Sequence, residues 1–277
     1  MSSTSPFDAS SPDASASERR RPVLLATPGH LHGEIVLHVH TVHAQRLITG
    51  RAGTPERRGV IGLFAFAERV GHIWRGAQAG DPYADWWLLK LEQALNRAEA
   101  RLSDLRASVR QHLADDESFT IEVPSSTAPL PVALEFTTPV AYRAAQLVGV
   151  YDRIVREILT ARQVARMTSD AASHALWLAG HEVRSTFHTV LGYVGYGITR
   201  ADVAASNATA VAAAARMGAL PEEVRADLQR AQFAPTRVHG PRRLEKADSV
   251  SLLEDRNGSI DSAPVFDDDL GRLFPEA

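Results

Sequence analysis

Between residues 34 and 41 apolar and polar side chains alternate (EIVLHVHT), which places Ile35, Leu37 and Val39 on one face and Val36, His38 and His40 on the other. A period of two predicts a strand with one face on a core. The next eight residues, Val42 to Thr49, suit a short helix closed at Gly50. After a Gly/Pro/Arg loop, Leu63, Phe66, Val70 and Ile73 recover helical spacing over Val60 to Gly76. The order is strand, helix, turn, helix. Asp81-Pro82 pairs a capping residue with proline at the first helical position and opens a long helix to about Leu113. Along it Leu88, Leu91, Leu95, Ala98, Leu102, Leu105 and Val109 step alternately by three and four, a seam that needs partner helices. Phe119–Val123 and Val132–Phe136 read as two short strands of a small hairpin around a Pro/Ser/Thr linker. The remainder reads as helices over about 140–166, 170–190, 199–217 and 221–232, with Thr199 and Asp202 as a capping pair.

The fold class this predicts is mainly α (α+β). A ribbon-helix-helix-like unit over 34–77 is elaborated over 81–236 by the heptad helix, the small β-hairpin and a C-terminal helical bundle. Residues 27–236 are expected to form one compact domain. Residues 1–26 are small and polar and include Arg19, Arg20 and Arg21, a composition that cannot offset the entropy of ordering. The stretch 237–277 mixes Pro, Gly and Ser with an excess of acid, and both ends are expected to be disordered tails.

Composition narrows the function. The 277 residues contain no cysteine, which removes disulfides, thiolate metal sites and cysteine nucleophiles. No run approaches the length of an apolar membrane span, and the first residues lack the basic-then-apolar order of a signal peptide, so a cytoplasmic protein with no membrane partner is expected. The formal net charge of −3 argues against a uniformly basic coat and directs attention to local charge.

Most candidate chemistry has a plainer explanation. His30, His32, His38, His40 and His43 are dense, but only Glu34 accompanies them, and a polar strand face accounts for His38 and His40 better than a metal site. His181-Glu182 begins like HExxH, yet Ser185 stands where the second ligand belongs. His174, His181 and His188 recur every seven residues, about 10 Å apart along a helix and too far to share an ion, so they read as packing or surface residues. The run Gly192–Gly197 (GYVGYG) follows a helix and lacks GxGxxG order, and no phosphate-binding GxxxxGK[ST] exists. Trp86 and Trp87 point about 100° apart on one helix, so one is expected in the core and the other at a neighbouring contact. No catalytic set emerges. The expectation is a non-enzyme without metal, cofactor or small-molecule substrate.

The strand, helix, helix unit carries more. A two-stranded ribbon fits the major groove of duplex DNA, and one strand from each chain of a homodimer would supply it. Val36, His38 and His40 would face the groove, since imidazole can donate to or accept from base edges. Segment 34–77 holds six arginines (46, 51, 57, 58, 69, 75) against three glutamates (34, 56, 68), a local +3. Among these Arg46, Arg51, Arg57 and Arg58 are the candidate backbone contacts. Arg57 and Arg58 precede a helix whose amide-rich N-terminus suits phosphate.

The strings HVHTVHAQRLITGR, GVIGLFAFAERV, GDPYADWWLLKLEQAL, YDRIVREILTARQV and ITRADVAASNATA…RMGALPEEV…FAP, spread over about residues 27–236, resemble the AcaB-like transcriptional regulators of integrating conjugative elements. The resemblance implies a ribbon-helix-helix DNA-binding protein that activates the transfer genes of a mobile element. A different class also fits the helical half of the chain, an accessory component of the transfer machinery acting through protein contacts.

Overall fold

A computed structural model describes residues 33–55, 58–114 and 120–238. Both expected tails fall outside these residues except for Arg237 and Val238, as do His30, His32 and Arg57. The chain is mainly helical with one small antiparallel sheet. The order is β1 (Val36–Val39), α1 (Val42–Thr49), α2 (Leu63–Gln78), α3 (Pro82–His112), β2 (Leu130–Ala133), α4 (Pro139–Gln163) and α5 (Ser169–His188). After one 3-10 turn come α6 (Arg200–Ala204), α7 (Ala208–Met217) and α8 (Glu222–Arg225).

The helix starts lie where side chains can take the first free amides. Asp81 accepts from the Tyr83 and Ala84 N–H groups with Pro82 at the first position of α3. Thr138 does the same for α4, followed by Pro139. The α3 seam is buried at Leu88, Leu91, Leu95, Ala98, Leu102 and Val109. α3 packs on α2, α4 and α5. Phe66 of α2 stacks on Phe187 of α5 with centroids 4.8 Å apart, which ties α2 into the same core. Trp87 is buried and donates its indole N–H to the Thr189 carbonyl, while half-buried Trp86 holds the Lys90 ammonium 3.4 Å from its ring centroid.

Three expectations change. The 199–217 helix is two helices, because Ser206 turns left-handed at φ 49° and Asn207 caps a new start by accepting from Ala210 N–H. The last helix stops at Arg225, just before Asp227 at φ 62°. Among the described residues the expected 119–123/132–136 hairpin does not form either: residues 120–129 are irregular, and β2 pairs with β1 instead, with Phe119 outside the described residues. The irregular stretch is held by side chains, with Arg156 on the Pro124 carbonyl and Ser125 hydroxyl and the Ser126 N–H on the His40 ring.

The C-terminal segment is fastened by charge. Asp85, fully buried on α3, receives Arg200, Arg230 and Arg237 at 2.9, 3.1 and 2.7 Å. Asp227 shares Arg200 and Arg237. Arg237, where the sequence places the start of the tail, thus belongs to this clasp, and the Val238 N–H donates to the Gln78 carbonyl.

Candidate nucleic-acid interface

The strand-to-helix corner is set by one buried carboxylate. Asp152 of α4 accepts from the His40 N–H at 3.0 Å and the Thr41 hydroxyl at 2.7 Å, and the Thr41 oxygen in turn caps α1 by accepting from Ala44 N–H. A buried carboxylate needs such donors. Leu37 lies against Gly149 of α4, where an added Cβ would stand 3.4 Å from it, and Val39 is buried. The period-two reading therefore places Leu37 and Val39 on the core side as expected. Ile35, expected beside them, is 51% exposed.

The ribbon is completed within one chain. Val36 faces Ala133, Leu37 faces Val132, His38 faces Pro131 and Val39 faces Leu130. The Leu134 N–H donates to the Ile35 carbonyl at 2.8 Å, so the hydrogen-bonded pairs of this antiparallel ladder are those of Ile35, Leu37 and Val39. Pro131 falls opposite His38 in a pair that makes no mutual bond, and its missing N–H costs the ladder nothing. By the same alternation the N–H and C=O groups of Val36 and His38 point to the other edge of β1, where no described residue bonds them.

The three strand residues expected to face a groove separate. His38 is exposed and Val36 half-buried, on the face shared with Pro131 and Ala133. His40 is half-buried, and its Nδ1 accepts the Ser126 N–H at 3.2 Å, so it also holds the 120–129 stretch. That contact follows from β2 pairing in cis, since the chain leading into β2 runs beside the end of β1.

The loop between α1 and α2 is a pinched hairpin. The Arg51 and Val60 backbones bond each other both ways at 2.8 Å. At its neck Gly50, with φ +67°, passes so close to Gly62 that a Cβ on either would lie 2.5 Å from the other's backbone nitrogen. Only glycine fits there. Beyond the neck Arg51 and Arg58 are both exposed, and the Arg51 guanidinium donates to the Arg58 carbonyl at 3.3 Å. The structure thus brings Arg51 and Arg58 together on the hairpin and not at the start of α2, whose cap is Gly62. Arg57 lies outside the described residues.

Arg46 is exposed in the last turn of α1, where a cation suits the helix end. It faces cations from other elements. Burial and the positive charges of Arg46 and Arg162 hold His43 below its ordinary pKa, and burial with Arg184 does the same to His188. Arg184 was not among the residues singled out by sequence, although His181 and His188, which flank it on α5, were. Among the described residues no His/Asp/Glu group could hold a metal ion, and no helix is long and apolar enough to cross a membrane.

A family model described as transcriptional regulator AcaB matches residues 27–237. No curated protein matches the chain. The crystal structure of selenomethionine-containing AcaB from uropathogenic E. coli is similar at 14% identity and a TM-score of 0.49, over 73% of this chain and 98% of that one.

Proposed function

Since the chain belongs to the AcaB family of transcriptional regulators, we propose that it binds duplex DNA as a homodimer and activates conjugative-transfer genes of an integrating conjugative element. The family match over residues 27–237 is the observation that carries this reading. The N-terminal unit supports it. The edge of β1 that presents the Val36 and His38 backbone groups is the one available for pairing with a second copy's β1, which would extend two short ribbons into one. Ile35, Val42 and Phe64 of this unit, with Leu130 of β2, are exposed apolar side chains that such pairing would cover. His38 is then the side chain placed to read base edges, beside Val36. Arg46, Arg51 and Arg58 supply backbone contacts, with Arg57 between them in sequence.

The test is a fluorescence-anisotropy titration of the full chain on promoter fragments from the host element and on random DNA, at several salt concentrations. Replacing His38 by alanine should cost about 1–3 kcal/mol on the preferred fragment and little on random DNA. Replacing Arg51 or Arg58 should weaken both alike and flatten the slope of log K against log salt by about 0.9 each. No preference for any fragment in the unaltered chain would discard the DNA-reading role and favour an accessory role in transfer.

A further inference from the structure

On α5, His174, Trp177, His181, Arg184 and His188 step by three, four, three and four, so they share one face. The Trp177 ring lies between the two histidines, stacked on His174 at 6.2 Å and on His181 at 5.2 Å with planes 15° and 9° apart. Below this stack the Arg184 guanidinium folds over Gly180, so close that a Cβ there would stand 2.6 Å from it. Tyr151 of α4 is buried next to it, within electrostatic reach of both Arg184 and Arg46. The stripe from His174 to His188 is about 21 Å long at 1.5 Å per residue.

This face is short of carboxylates. Five other half-buried arginines have one: Arg106 grips Glu157, Arg143 holds Glu99, and Arg200, Arg230 and Arg237 converge on Asp85. Arg184 is half-buried and pairs with no described residue. Asp152, next to Tyr151 in sequence, is turned to the His40 N–H and Thr41 hydroxyl, and Glu182 on α5 to Arg101. A partly desolvated guanidinium with only cations and a tyrosine around it is poorly placed in the free protein and well placed beside an incoming anion.

We propose that the face formed by His43 and Arg46 of α1 and Arg184 and His188 of α5 is a second seat for the phosphate backbone of duplex DNA, continuing the contact away from the ribbon. This rests on the DNA-binding reading above. Arg46 joins the two surfaces, because α1 follows β1 directly.

The experiment uses the full chain, the same DNA fragments and the same salt series. Arg184→Gln should flatten the salt slope by about 0.9, weaken operator and random DNA alike, and leave the operator preference intact. Arg184→Lys should restore most of the slope. His188→Glu changes an exposed residue and offers Arg184 a carboxylate one turn away, so it should flatten the slope even if Arg184→Gln folds poorly. Wild-type slopes in folded Arg184→Gln and His188→Glu would overturn the proposal. If the unaltered chain binds no DNA, the regulator reading fails; if it binds and only these variants show no change, this inference fails alone. Inorganic phosphate at constant ionic strength is the control for a free anion. Saturable phosphate binding lost in Arg184→Gln, with DNA slopes unchanged, would assign the site to a small phosphorylated ligand and overturn the backbone assignment.

Discussion

Arginines gather in two places in this molecule and do opposite things there. In the C-terminal clasp Arg200, Arg230 and Arg237 surround a carboxylate with no exposed surface, and every charge is matched within about one ion-pair length. On the α1–α5 face Arg46 and Arg184 meet no carboxylate among the described residues, and burial and nearby cations lower the pKa of neighbouring His43 and His188. The clasp spends its charges on internal order, since α6, α8 and the segment after it contribute little apolar surface to the core. The second face leaves its charges available. Whether an arginine is structural or recognitive is decided by the acid that does or does not face it.

The largest expected effect breaks the clasp. Asp85→Ala should lose about 3–5 kcal/mol in urea unfolding, because it strands three partly buried guanidinium groups and makes them resemble Arg184. A loss under about 1 kcal/mol would mean that Asp227 alone organises the segment.

One turn before Asp85, Asp81 is the converse case, a buried carboxyl without a cation. Burial pushes it up to about 6, against the amides of Tyr83 and Ala84 and the Tyr193 hydroxyl, which favour its charged form. A folded pKa above the unfolded 3.8 means stability that is present below about pH 4 and lost as pH rises through about 6. The change should approach about 3 kcal/mol between those limits. Asp81→Asn keeps a capping oxygen and should abolish this part of the pH dependence. A stability profile between pH 4 and 7 identical in the variant would exclude it.

Glu157→Gln on α4 should cost about 2 kcal/mol, as the carboxylate accepts both the Nε and the terminal nitrogen of Arg106 at 2.9–3.0 Å. The smallest effect sharpens the contrast. Arg184→Gln should leave stability within about 0.5 kcal/mol or raise it, since it removes a cation that no acid balances. A loss comparable with Glu157→Gln in the same urea series would show that Arg184 is structural and erase the distinction.

Much of this was legible in order along the chain. The helix from Val42 to Thr49 and the Asp81-Pro82 start appear where the residues place them, because caps and apolar spacing act within a turn or two. The heptad seam announced buried partners without naming α4 and α5. The division at Asn207 was missed because alanines on both sides favour helix, and the left-handed Ser206 interrupts them without a glycine. The exposure of His38 was readable from alternation alone, whereas the bond from Ser126 to the His40 ring was not, because the two residues lie far apart in sequence.

By itself the sequence determined the periodicities, the caps, the absence of thiol chemistry and the family, all of which depend on residue identity and on neighbours within a few positions. Tertiary structure alone decided which strand pairs with β1, that Arg51 and Arg58 share a hairpin, and which arginines meet a carboxylate. Those outcomes depend on long-range closure. Asp85 and Arg237 are 152 positions apart, and a charge pattern read along the chain cannot tell whether such groups will end up 2.7 Å from each other or facing solvent.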